Sequence, residues 1–353
     1  MRMLKKMNKK TKSNLITYAL VIAVYVVVQM LINAGSISSL IEGLMVPICT
    51  YVILAVSLNL VVGILGELSL GHAGFMCVGA FFSAFFSKCM RNVITSDILR
   101  FLLALIIGIL VAAVFGILIG IPVLRLKGDY LAIVTLAFGE IIKNMVNVLY
   151  IGKDSKGFHF ATKDVMALNM EADGTVILNG PQGITGTPKN STFFVGFLLI
   201  LLTLFIVLHL AQSRDGRAIM AIRDNRIAAE SIGINVTKYK LMAFSISAAM
   251  AGAAGVLYAH NLSTLTANTN NFGYNMSITI LVFVVLGGIG NIRGSVIAAV
   301  ILTLLPEVLR GMKDYRMLIY AIVLIIMMLF NWSPKAIEWR EKYLSFGKKE
   351  AVK

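Results

Sequence analysis

The chain has 353 residues, 58% of them hydrophobic and only 14% charged, with a net charge of +15 and a mean hydropathy of +0.85. An ordinary soluble domain is about 25% charged, and a single soluble core of this length cannot hide so much apolar side chain. These figures exclude a soluble enzyme and a disordered chain. They point to a membrane protein with several spans, in which the basic excess marks cytoplasmic segments and not a nucleic-acid partner.

Taken in order, the chain opens on a basic stretch, 1–14, with Arg2, Lys5, Lys6, Lys9, Lys10 and Lys12 and no acid. A helix of about 20 apolar residues crosses the hydrocarbon layer. Runs suited to that role lie at 15–32, 42–65, 70–88, 99–124, 129–150, 192–211, 241–262 and 317–332. Two shorter runs, 276–290 and 294–306, flank Asn291-Ile292-Arg293 and read either as two short helices or as one re-entrant pair. The expected fold is therefore an all-α polytopic membrane protein with about ten transmembrane helices, or eight plus a re-entrant pair. The runs are unbroken and lack the alternation of a membrane β-barrel. The first run is too long for a signal-peptide core and no small-x-small site follows it, so it is expected to stay as an uncleaved helix.

Positive charge sets the orientation. The tail 1–14 and the tail 333–353, with Lys335, Arg340, Lys342, Lys348, Lys349 and Lys353, are expected in the cytoplasm, so both termini are cytoplasmic. Counting spans places 151–191 outside as the long loop, 263–275 outside, and 213–240 inside. The region 15–332 is then a single transmembrane domain.

Polar residues at membrane depth cost several kcal/mol unless paired or facing water, so each is a functional candidate. Glu67 and His72 flank the Gly-rich break Gly63-Ile-Leu-Gly66-Glu67-Leu-Ser69-Leu-Gly71-His72. A broken helix exposes amides whose partial positive charge suits an anion, with Ser69 as a further donor and Glu67 as an attractor for an ammonium group. The same break equally suits a gate near the cytoplasmic face or tight packing at glycine. Glu140, Lys143, Asn144 and Asn147 lie on the fifth run. Glu140 and Asn144 share a face, and Glu140 reaches Lys143 at three residues; this group either braces helices or lines a pathway. The seventh run is crowded with small residues, from Ser245 to Gly255, and reads as a close helix-packing face. His209 and His260 near span ends read as interfacial. Cys49, Cys77 and Cys89 have no metal-ligand spacing, so neither a disulfide framework nor a metal site is expected, and no catalytic group stands out.

The segment 213–240 reads SRDGRAIMAIRDNRIAAESIGINVTKYK. Its apolar positions, Ala218, Ile219, Ala221, Ile222, Ile227, Ala228, Ala229 and Ile232, alternate with Arg217, Arg223, Arg226 and Glu230 as in an amphipathic helical element. Asp215 or Asp224 is a candidate cap, and Gly233 suits a left-handed helix end. Such a helix docks in a partner's groove or lies on anionic lipid.

Residues 216–240 resemble the cytoplasmic "EAA" coupling loop of ABC importer permeases, in the form found in branched-chain amino acid permeases of the LivM type. Three other stretches agree in order. They are Leu58-Asn59-Leu60 to Leu68-Ser69-Leu70-Gly71-His72-Ala73-Gly74-Phe75, Leu124-Arg125-Leu126-Lys127-Gly128-Asp129-Tyr130 on to Thr135 and Glu140, and Val285-Leu286-Gly287-Gly288-Ile289-Gly290-Asn291. The resemblance covers about 40–335. It implies a multi-pass permease in the plasma (inner) membrane of a bacterium, moving Leu, Ile or Val. It further implies a second homologous permease subunit, two cytoplasmic ATP-binding subunits that carry ATP and magnesium, and an extracytoplasmic amino-acid-binding protein. On this resemblance Arg217, Arg223, Ala228, Ala229, Glu230 and Gly233 belong to the ATPase-coupling element. Asn59, Glu67, Ser69, His72, Thr135, Glu140 and Asn144 are pathway or gate candidates. The chain has no G-x-x-x-x-G-K-[ST], so it is expected to bind no nucleotide cofactor through such a loop. Two alternatives stay open: the same machine carrying urea or a short amide, and an ion-driven secondary transporter using Glu140 and Lys143.

Overall fold

The apolar runs fold as helices because a backbone removed from water bonds within its own segment. The computed structural model describes residues 9–35, 38–126, 128–171, 174–310 and 315–332. The tail 333–353, residues 1–8 of the first tail and Lys127 lie outside the described residues. In chain order the helices are α1 (Lys9–Asn33), α2 (Ser39–Asn59), α3 (His72–Cys89), α4 (Asp97–Val123), α5 (Asp129–Val148), α6 (Phe193–Gln212), α7 (Arg214–Asp224), α8 (Arg226–Ser231), α9 (Val236–Ala259), α10 (Thr269–Phe272), α11 (Tyr274–Gly287), α12 (Ile292–Val308) and α13 (Arg316–Trp332).

Among the described residues, seven helical stretches are long and apolar enough to cross a membrane: Asn14–Asn33, Ser39–Leu65, Asp97–Val123, Asp129–Val148, Phe193–Gln212, Val236–Ala259 and Thr269–Gly287. The remaining expected spans also form helices, but shorter or less apolar ones: α3 has 18 residues, ending in Lys88-Cys89, and α12 and α13 have 17 each. The runs 276–290 and 294–306 fold as α11 and α12, packed on one another across a turn at 288–291. Burial ranks the helices. The most apolar 18 residues of Ser39–Leu65 are 94% buried, which makes that stretch central, whereas those of Asn14–Asn33 are 11% buried and that stretch is peripheral.

The close centre of the bundle is α3, α4 and α9. Helix α4 shows why. Ala104, Gly108, Ala112, Gly116 and Gly120 recur every four residues and are buried. Leu102, Ile106, Leu110, Val114 and Leu118 recur at the same interval and are exposed. One face is thus built of small residues that admit neighbouring backbones, and the opposite face presents bulk to lipid. A Cβ added to Gly79 on α3 would stand 2.4 Å from the Gly252 carbonyl oxygen on α9, and one added to Gly252 would stand 2.4 Å from Ala112 Cβ on α4. The small residues expected to pack the seventh run do pack it, against these two helices.

The all-α expectation needs correction. The loop after α5 forms strands β1 (Tyr150–Asp154), β2 (Gly157–Ala161) and β3 (Thr175–Asn179), paired antiparallel in the order β2-β1-β3, and β4 (Ile184–Thr185) pairs with β5 (Thr264–Leu265). These strands are short, and glycine and charge interrupt them, so no strand pattern stood out against the apolar background. The β4–β5 pairing joins the loop before α6 to the loop after α9. Ser191 adds to this junction, donating from N to His260 O at 3.3 Å and from Oγ to Leu257 O at 2.8 Å. The sheets therefore stand at one end of the bundle. Helices α7 and α8 stand at the other, separated by the length of α6 and of α9, whose 24 residues rise about 36 Å. The span expected at 241–262 begins earlier, at Val236, because Asn235 caps it by accepting from Lys238 N at 3.0 Å. His260, at the end of α9, is buried, with Nδ1 3.0 Å from Val256 O.

The turn between β1 and β2 is organised by Asp154. Its Oδ1 accepts from Lys156 N at 2.9 Å and Gly157 N at 3.1 Å, and its Oδ2 accepts from Glu171 N at 3.3 Å and lies 2.8 Å from His159 Nε2. Desolvation pushes this carboxyl up, but the Glu171 and Lys156 amides, the His159 side chain and the Gly157 amide together hold it below the usual carboxylate range.

Two outcomes test this architecture. Gly79→Leu is expected to lower stability by about 1–3 kcal/mol through overpacking, read as thermal unfolding in detergent, while Gly43→Ala, which meets nothing within 4 Å, changes little. The depressed Asp154 carboxyl stabilises the sheet above the ordinary carboxylate pKa, and that stability is lost as pH falls through the folded-state value. Limited proteolysis should therefore cut 155–174 faster under acid, and Asp154→Asn should show the fast cleavage already at neutral pH.

Candidate functional site

Helix α2 does not end at Asn59. It continues for one wider turn, Leu60–Leu65, as a π-helix, and stops where Gly66 takes the left-handed φ of 81°. Both the Gly66 and the Glu67 amides then return to Val61 O. The chain runs unwound to Gly71, and α3 starts at His72. A π-turn next to a glycine reversal is a local structure often found at functional positions.

Neighbouring side chains satisfy the polar groups freed by this break. Leu70 N donates to Thr135 Oγ1 on α5 at 3.0 Å, and Ala73 N donates to Ser277 Oγ on α11 at 3.2 Å. Amides that the sequence suggested for an anion are thus already bonded within the bundle. His72 is buried, its Nε2 2.7 Å from Ser57 Oγ, which also lies 2.9 Å from Leu54 O. Asn59 spans to the second glycine-rich turn. Its Oδ1 accepts from Gly290 N at 2.9 Å and its Nδ2 donates to Ser295 Oγ at 2.8 Å. A Cβ on Gly63 would lie 2.4 Å from Gly290 N, so the two turns meet backbone to backbone. Ser69 is buried with its Oγ lacking a partner among the described residues. Glu67 pairs with Lys240 on the first turns of α9, both side chains largely shielded.

The candidates therefore divide. Asn59, Glu67, Ser69, His72 and Thr135 come together around the break. Glu140 and Asn144 do not join them. Glu140 Oε2 lies 2.5 Å from Lys143 Nζ, its Oε1 accepts from Tyr274 N at 2.8 Å, and Lys143 also donates to Thr269 Oγ1 at 3.1 Å. Asn147 Nδ2 bonds Ala267 O at 3.0 Å. This group ties α5 to the segment between β5 and α11, towards the sheets. Asn144, one turn further along α5, is exposed.

The segment expected to be amphipathic folds as α7 and α8. Its caps are Ser213, which accepts from Gly216 N at 3.0 Å, and Asn225, which accepts from Ala228 N at 3.1 Å; neither Asp215 nor Asp224 caps. Gly233 takes the expected left-handed conformation, φ 85°. Ile219 and Ile222 are buried, and Ala229 packs with Ile222 and Val236. The outer side carries Ile227, 80% exposed, and Ile232, 75% exposed, with Ala228 exposed between them. Glu230 pairs with Arg226 at 3.0 Å, and Arg217 Nη1 bonds Gln212 O at 3.1 Å. Arg223 turns inward, with Nη1 2.9 Å from Gly63 O. A cavity of about 430 Å³ lies between α7–α8 and the break, lined by Gly66, Glu67, Arg223, Asn225 and Lys240 among others.

Sequence reasoning missed Ser57, Lys240, Ser277 and Ser295. Single serines in apolar runs give no signal, and Lys240 counted only as one more cytoplasmic charge.

A helical bundle of this kind, with unwound turns braced by side chains and a small helix pair leaning on them from one end, is a multi-pass membrane transport subunit. The chain belongs to the family described as the branched-chain amino acid transport system / permease component, whose model matches residues 40–330. It is 36% identical over 296 residues to the high-affinity branched-chain amino acid transport system permease protein LivM of Salmonella typhimurium, covering 81% of this chain and 67% of that protein. LivM of Escherichia coli is 36% identical over 297 residues with the same coverage. LivH of Salmonella typhimurium, from the system of the same name, is 24% identical over 258 residues, covering 72% of this chain and 79% of LivH. No solved structure matches the chain.

The Glu140–Lys143 pair is expected to act as a brace. Glu140→Ala leaves a buried ammonium and the Tyr274 amide without their acceptor and should cost about 1–3 kcal/mol in detergent unfolding. The double variant Glu140→Gln/Lys143→Met should regain most of that loss.

Proposed function

We propose that the chain is the membrane-spanning permease subunit of an ABC importer that moves leucine, isoleucine and valine inward, driven by separate ATPase subunits. The observation that carries this reading is the α7–α8 element, two capped helices that bury one face on the break and present Ile227, Ala228 and Ile232 outward. Exposed isoleucines flanked by charge on a short rigid helix suit a groove on a protein partner. We assign that groove to an ATPase subunit on the cytoplasmic side, which supplies the ATP and magnesium.

In this reading ten helices cross the membrane: the seven long stretches with α3, α12 and α13. Both termini lie in the cytoplasm, in accord with the basic tails, and the sheets face outward. The short strands and the β5–α11 segment are the docking surface for the amino-acid-binding protein. The partner in the membrane is a second, homologous permease. The chain's likeness to both LivM and LivH, two permeases of one named system, supports such a pairing. The setting is a bacterial plasma membrane. Substrate crosses between the two subunits as the bundle alternates between outward and inward openings.

Co-expression with the ATPase subunits, the second permease and the binding protein tests this. Ile227→Asp with Ile232→Asp is expected to abolish co-purification of the ATPase and uptake of labelled leucine, while the permease still inserts. Leucine transport by the chain alone in liposomes, or a full complex that hydrolyses ATP without moving leucine, isoleucine or valine, would overturn it.

A further inference from the structure

We infer that Arg223 and the Glu67–Lys240 ion pair are the transmission between the ATPase-docking element and the unwound turn of α2, and that Arg223 works inward on that turn, not outward on a partner. The inference rests on the reading of the chain as an ATP-driven permease.

The geometry carries it in three steps. First, Arg223 sits near the end of α7 but its side chain lies on the break. Its Nη1 donates to Gly63 O at 2.9 Å, and Nε and Nη2 donate to Asp224 Oδ1 at 3.1 and 2.9 Å. A Cβ on Gly66 would stand 2.4 Å from Arg223 Cγ, so the stem of the arginine fills the place of a side chain at the left-handed glycine. Second, Glu67 follows Gly66 directly and pairs with Lys240, whose helix α9 is the continuation of α7–α8. The side chains are 16% and 5% exposed, so the pair is poorly screened and costly to part. The same short turn is therefore held by α7 through Arg223 and by the first turns of α9 through Lys240. Third, the turn does not move alone. Gly63 rests on Gly290, and Asn59 bonds both Gly290 N and Ser295 Oγ, which carries any displacement to the connection between α11 and α12.

A docking element that bonds the turn through Arg223, and whose following helix α9 is ion-paired to the same turn, shifts only against both contacts. It either carries the turn along or breaks the bond of Arg223, whose side chain is 40% exposed, together with the better shielded Glu67–Lys240 pair. That is the condition for two discrete arrangements in place of gradual slack. Arg223, Glu67 and Lys240 are positioning residues in this scheme. They touch the backbone and one another.

The test uses the whole complex, with ATPase subunits, second permease and binding protein, reconstituted in nanodiscs and in proteoliposomes. The variants are Arg223→Ala, Arg223→Lys, Glu67→Gln, Lys240→Met and the exchanged pair Glu67→Lys/Lys240→Glu. The readouts are ATPase co-purification, the ratio of ATP hydrolysis with leucine-loaded binding protein to hydrolysis without it, and leucine uptake. Co-purification is expected to persist in every variant. In Arg223→Ala, Glu67→Gln and Lys240→Met the stimulation ratio should fall towards one and uptake should fall by about tenfold, the scale of one lost charge-assisted bond. Arg223→Lys should fall less, and the exchanged pair should regain much of the ratio that either single change loses. Wild-type stimulation and uptake in both Arg223→Ala and Glu67→Gln would overturn the inference, as would loss of co-purification, which would make these residues part of docking or folding. If the unaltered complex fails to transport leucine, the functional reading fails instead.

Discussion

The structure depends on one constraint: inside a membrane bundle, a backbone group that leaves its helix must find a partner made of protein. The chain leaves its helices at two places that meet one another towards the α7–α8 end, between Leu65 and His72 and between Gly287 and Ile292. At each, a neighbouring side chain meets a freed group. Thr135 and Ser277 take amides of the first turn, Arg223 takes the Gly63 carbonyl, and Asn59 takes the Gly290 amide. The elements that supply these groups, α5, α11, α7 and α2, are held in register with the breaks as a result. Polar residues here are the means by which an unwound segment is held inside the bundle.

Close approach does the rest. The breaks can be reached only because glycines stand where backbones meet, as at Gly63 on Gly290 and Gly71 on the Thr135 carbonyl. The same economy of volume organises α3, α4 and α9, where shape complementarity replaces the hydrophobic driving force that lipid does not provide. Packing and polar bonding are thus coupled: a side chain added at Gly63 would push apart the turns that Asn59 bridges.

Much of this was legible in the residues. Lengths and charges marked nearly every helix, and the left-handed glycine at 233, the Glu140–Lys143 pair and the small face of α9 follow from local rules of spacing and size. What escaped notice required a partner distant in sequence. Ser57, Ser277 and Ser295 carry meaning only through His72, Ala73 and Asn59, and Lys240 only through Glu67, 173 positions away. The caps were misassigned because the capping Ser213 stands two positions before Asp215 and the capping Asn225 one position after Asp224. The four-residue stripe on α4 was readable, yet a run so apolar throughout hid the difference between large and small. The strands were too short to show a period against 58% hydrophobic composition.

The junction of β4 with β5, reinforced by Ser191, also governs how the opposite end of the molecule behaves. It ties the start of α6 to the end of α9, and the α7–α8 pair hangs from the other ends of those same two helices. A body suspended from two posts that are lashed together at the far end has little freedom to slide or to part from one post. It swings. A push at α8 would therefore become a tilt about a pivot some thirty residues of chain away, with the greatest travel at the end furthest from it, where α7 meets Gly63 and Gly66.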